Sequence, residues 1–84
     1  MNATDIIERL ETHIDGATVT AEDDGSHCQI TVVSDVFEGL TPVKKQQLVY
    51  QCLNDKIADG SLHAVSMKTY TRIEWERESR FHSL

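Results

Sequence analysis

Two short alternating runs, separated by a helix-length segment, constrain this chain more than any other feature. CQITVV (28–33) puts Cys28, Ile30 and Val32 on one side of a strand, and LHAVSMKTY (62–70) alternates again. Between them Thr41 and Pro42 stand as N-cap and first helical residue, ahead of an inward row of Val49, Cys52, Leu53 and Ile57 that stops at Gly60. A connection of that kind cannot close a hairpin. If the two strands are neighbours they run parallel, joined by a right-handed crossover, and both begin at one edge of the sheet.

The flanking segments complete the pattern. Residues 2–15 open on Asn2 as N-cap, carry Ile6 or Ile7, Leu10 and Ile14 at helical spacing, and meet Gly16 where a helix would end. ATVTAE (17–22) alternates Ala17, Val19 and Ala21 against polar residues, and Asp24-Gly25 supplies a turn into CQITVV, which predicts an antiparallel hairpin. In TRIEWERESR (71–80), Thr71 and Glu74 have capping-box spacing, so a last helix is expected, with Ile73, Trp75 and Phe81 as its apolar members. The order is helix, strand, strand, helix, strand, helix, without repeat or linker. With 84 residues this is one expected domain of the α+β class, too small for a deep enclosed cleft beside its core.

Charge and cysteine content narrow the function. Fourteen acidic residues against eight basic ones give a formal charge of -6, which repels nucleic acid unless the cations gather on one face. Cys28 and Cys52 lack CxxC spacing, and no basic n-region precedes an apolar run, so free thiols in a reducing cytoplasm are expected. No apolar stretch approaches the roughly 20 residues of a membrane span, and none of the common hydrolase, metalloprotease or nucleotide-binding motifs is present. An enzyme is therefore the weakest expectation.

Parallel pairing would bring His27 and Cys28, at the start of the second strand, to the rim where His63 starts the third. Cys28 is in phase with Ile30 and Val32 and reads as core filler as readily as ligand; His27 is out of phase and reads as a solvated loop residue or a ligand. His63 is as consistent with a hydrogen-bonded structural histidine as with a metal ligand. His13 and His82 read as surface residues. Two or three ligands do not close a structural zinc site, but they can complete a site shared with a partner, and iron-sulfur clusters accept histidine on one iron.

GSHCQITVVSDVFEGLTPVKKQQLVY, followed by LHAVSMKTYTRIEW, resembles the BolA family, in its IbaG (YrbA) branch. The most specific pieces are SDVFEG, VKKQQLVY and HAVSMKTYT. The resemblance implies a class II KH-like fold, αββααβ, with a C-terminal helix packed on a three-stranded mixed sheet. It further implies that a turn splits the central helical stretch in two, where the residue pattern shows one helix. It implies a non-enzymatic partner of a monothiol glutaredoxin, completing a bridging 2Fe-2S cluster shared with glutaredoxin and glutathione, and holding no cofactor when alone. His63 takes the position of the family's HA-motif ligand; the loop ligand falls on His27, with Cys28, standing where an aromatic is usual, as the competitor. Weak self-association and DNA are the other partner expectations. A DNA-binding regulator of the stress-response type would use Lys44, Lys45, Lys56 and Lys68, with Arg72 and Arg77 as further cations, although the four glycines contain no GXXG loop and lysines on a helix are commonly a solvated face. Trp75 reads as a packing anchor or partner contact rather than a base-stacking platform.

Overall fold

The computed structural model describes residues 2–62 and 64–82, the side chains of Phe81 and His82 excepted. Helix α1 (Ala3–His13) starts where the sequence places it. Asn2 Oδ1 accepts from the Asp5 N–H at 2.9 Å and Asp5 Oδ2 accepts from the Asn2 N–H at 3.3 Å, a reciprocal cap that satisfies donors the first turn leaves unpaired. Strands β1 (Thr18–Asp23) and β2 (Cys28–Val33) form the antiparallel hairpin, and β3 (Val65–Tyr70) lies parallel to β2 with Cys28 beside Val65 and Val33 beside Tyr70. The sheet order is β1-β2-β3, as the crossover requires.

Helix α2 (Pro42–Ala58) fills that crossover, capped by Thr41 Oγ1, which accepts from the Lys44 N–H at 3.2 Å. Ahead of it stands one turn of 3-10 helix, Asp35–Phe37. The split implied by the family resemblance is thus one short turn and one long helix. The short turn stays short because Ser34 caps its start and Gly39, at φ 78°, supplies a left-handed backbone before α2 begins. Phe37, fully buried, anchors it.

Both α1 and α2 lie on one face of the sheet. Ile6, Leu10, Val49 and Leu53 meet Val19, Cys28, Ile30 and Val32 in a single buried cluster, each such side chain worth about 1.5–3 kcal/mol of burial. The other face is polar and largely open, with Thr20, Glu22, Gln29, Ser66 and Lys68 exposed. Helix α3 (Arg72–His82) covers only its far end, where the Trp75 and Tyr70 rings lie 5.4 Å apart over buried Val33.

That partial cover leaves apolar side chains of α3 outside the core. Ile73 is 63% exposed and Trp75 37%. The Thr71–Glu74 box, with Thr71 Oγ1 accepting from the Glu74 N–H and Glu74 Oε1 accepting from the Thr71 N–H, determines where α3 begins. It carries no information about how much sheet the helix covers. Among the described residues no helix is long and apolar enough to cross a membrane.

Candidate functional site

The rim where β2 and β3 begin is assembled by a four-residue loop and one carboxylate. Asp24 Oδ1 accepts from the Ser26 N–H at 3.0 Å, the Ser26 hydroxyl at 3.1 Å and the His27 N–H at 2.7 Å. These donors favour the charged form and hold the Asp24 carboxyl below its ordinary value. Gly25, at φ 94°, makes the turn that points them inward, and its N–H donates to Asp23 Oδ1 at 2.9 Å. The main chain of residue 27 is therefore fixed although its side chain is exposed.

Strand parity then separates two sequence neighbours. Cys28, 3% exposed, turns into the core, where burial and secondarily the Asp23 carboxylate push its thiol up. Since the thiolate is the form that binds metal, this setting disfavours Cys28 as a ligand in the free protein. His27 goes to the open face, and its Nε2 lies 2.6 Å from the Ser66 hydroxyl on β3. Ser66 escaped the sequence reading; it lies 39 residues from His27, and only the parallel register and the shared parity bring it close.

The loop preceding β3 closes the other side of the rim. The Cys28 N–H donates to the Ala64 carbonyl at 2.8 Å. A shallow depression of about 220 Å³ has Gly25, Ser26 and His27 on one wall and Ser61, Leu62 and Ala64 on the other. A second, of about 330 Å³, lies between Glu22, Asp24 and His27. His27 borders both. His63, the other expected ligand, lies outside the described residues; its neighbours Leu62 and Ala64 line the first depression. Among the described residues no group of three His, Cys, Asp or Glu side chains could hold a metal. What the rim offers is an exposed imidazole on a fixed backbone, a donor set that fits one position of a cluster shared with a sulfur-bearing partner and is too small for a metal held alone.

The cations do not share a face. Lys44 and Lys45 occupy the first turn of α2 and Lys56 its last, about 16–18 Å apart at the helical rise. Lys45 pairs with Glu74 at 3.7 Å and Lys56 with Asp59 at 4.0 Å. Lys68 stands on the open face, across the sheet from α2. The two further cations, Arg72 and Arg77, are both exposed on α3, and the Arg72 backbone N–H donates to Asp35 Oδ1 at 3.2 Å. His13 is exposed, with Nδ1 2.8 Å from the Arg9 carbonyl of its own helix.

Comparison with known proteins shows what the chain as a whole is similar to. The family model described as BolA-like protein matches residues 3–74. The acid stress protein IbaG of Escherichia coli K12 is 44% identical over 72 residues, covering 86% of this chain and 77% of the relative. The DNA-binding transcriptional regulator BolA of Vibrio cholerae is 46% identical over 52 residues, covering 62% of this chain and 48% of that protein. The structure of a BolA homologue from Coxiella burnetii superposes with a TM-score of 0.78 at 36% identity, covering 90% of this chain and 97% of that one.

Proposed function

This chain belongs to the BolA-like family, and from that premise we propose that it is a non-enzymatic partner of a monothiol glutaredoxin. In this reading it completes a bridging 2Fe-2S cluster through His27 and His63, for iron-sulfur trafficking or sensing. The observation that carries the reading is the exposed His27 ring on a pinned loop, across a shallow depression from Ser61, Leu62 and Ala64 and open to a partner. The cluster, when bound, supplies electron storage whose potential histidine ligation raises. This chain's residues supply the exposed nitrogen, its orientation, and a rim too shallow to enclose a metal without a second protein.

Cluster-loaded monothiol glutaredoxin mixed with this protein should show altered visible absorption and circular dichroism, and His27→Ala or His63→Ala should remove the change. Spectra that ignore both substitutions defeat the reading. A DNA-binding regulator is the second reading, favoured by the exposed Lys44 and Arg72 and by the name of the Vibrio relative. It requires binding to promoter-length DNA that weakens steeply with salt and falls on joint Lys44→Ala and Lys45→Ala replacement. Cations divided between two ends and two faces support it less well than the rim supports the first.

A further inference from the structure

Histidine has two ring nitrogens, and the hydrogen bond at one decides what the other can do. In this protein Nε2 is taken: it lies 2.6 Å from Ser66 Oγ, on the neighbouring strand. The backbone of the same residue is held at 2.7 Å by Asp24. An exposed side chain held at both ends has lost much of the freedom that exposed rings keep, which is the condition for presenting a ligand atom in one direction. The ring is also the only part of His27 left to interact outward, since its N–H goes to Asp24 and its carbonyl accepts from the Asp24 N–H at 3.1 Å.

We infer that Ser66 is a positioning residue whose hydroxyl oxygen accepts a hydrogen bond from the Nε2–H of His27 and so leaves Nδ1, with its free electron pair, as the atom offered to a metal. The assignment rests on the cluster-sharing reading above. It adds to that reading which nitrogen binds and which residue selects it. Ligating histidines commonly give their second N–H to an oxygen that sets tautomer and ring direction, and loss of such a partner costs about 10- to 100-fold in metal affinity. Ser66 is suited to this because its hydroxyl is exposed on the open face and outside the core cluster, so its removal leaves the packing untouched.

The test uses the full chain as wild type, Ser66→Ala and Ser66→Thr, the last keeping a hydroxyl on a strand that tolerates a β-branched residue. In the free protein, long-range nitrogen-proton NMR should find the neutral His27 ring protonated at Nε2 in wild type and Ser66→Thr, and a mixture of tautomers in Ser66→Ala. With cluster-loaded glutaredoxin, the complex of Ser66→Ala should lose its cluster about 10- to 100-fold faster than wild type, with Ser66→Thr restoring it. Pulsed electron paramagnetic resonance of the reduced complex should couple the cluster to 15N placed at Nδ1 of His27. A wild-type ring protonated at Nδ1, coupling through Nε2, or cluster retention indifferent to Ser66→Ala overturns the inference. If instead the complex ignores His27→Ala while the free ring still responds to Ser66, the cluster reading itself has failed, and the two failures are told apart.

Discussion

The two ends of the sheet are built from the same polar vocabulary and put it to different uses. At the far rim Ser34 is fully buried: its hydroxyl donates to the Asp15 carbonyl at 2.7 Å and accepts from the Val36 N–H at 3.3 Å. Thr71 and Glu74 cap α3, and Asp35 receives the Arg72 N–H. Every one of those groups is spent on joining chain segments. At the near rim Asp24, His27 and Ser66 also bond one another, yet all three are exposed and the chain they bond ends in a ring facing solvent. A hydrogen-bonded cluster is therefore structural or presentational according to where its last member points, and the distinction can be measured as stability against partner binding.

Ser34→Ala should break the comparison hardest on the structural side. It deletes two bonds from a fully buried residue, and a loss of about 1–3 kcal/mol is expected in chemical denaturation, while the spectral response to cluster-loaded glutaredoxin keeps its form in the fraction that stays folded. Thr71→Ala removes the α3 cap and should cost about 0.5–2 kcal/mol, seen first as a change in Trp75 fluorescence because that ring rests on Tyr70. A wild-type Trp75 signal in that variant would mean that α3 is held by packing and not by its cap.

Acid should loosen both rims, each through one carboxylate. The folded values of Glu74, lowered first by the Thr71 N–H, and of Asp24, lowered first by the Ser26 N–H, both lie below their ordinary ones. Their stabilisation is thus complete above the unfolded values near pH 4 and is lost as pH falls through the lower folded values. Amide exchange at Ser26 and His27 should accelerate in that range, together with the change at Trp75; protection that persists well below it would assign the loop order to something other than the Asp24 carboxylate. The smallest effect on stability belongs to His27→Ala, expected within about 0.5 kcal/mol of wild type because the ring is exposed. A larger loss would move the near rim into the structural class and sharpen the contrast out of existence.

Much of the near rim was legible before any coordinates. The alternation of Cys28, Ile30 and Val32 already sent the thiol inward and the adjacent imidazole outward, and the helix-length crossover already implied parallel strands that start together. Ser66 was not legible, because a lone serine in a strand looks the same whether it faces water or a histidine. Neither was Ser34, whose burial depends on Asp15, nineteen residues earlier in the chain. Ile73 was legible only as an apolar member of its helix, and its exposure was decided by how little sheet lies beneath α3.

Local chemistry in the chain was enough to determine which segments become helices and strands, where their caps fall, and which side of each strand is apolar, since those depend on residues a few positions apart. What needed the assembled molecule was everything set by contacts between distant segments: how far α3 reaches over the open face, how the lysines are distributed, and which oxygen stands beside the exposed ring. Those contacts follow from strand register and layer packing, and a one-residue slip in register would give His27 a different neighbour without altering a single local preference.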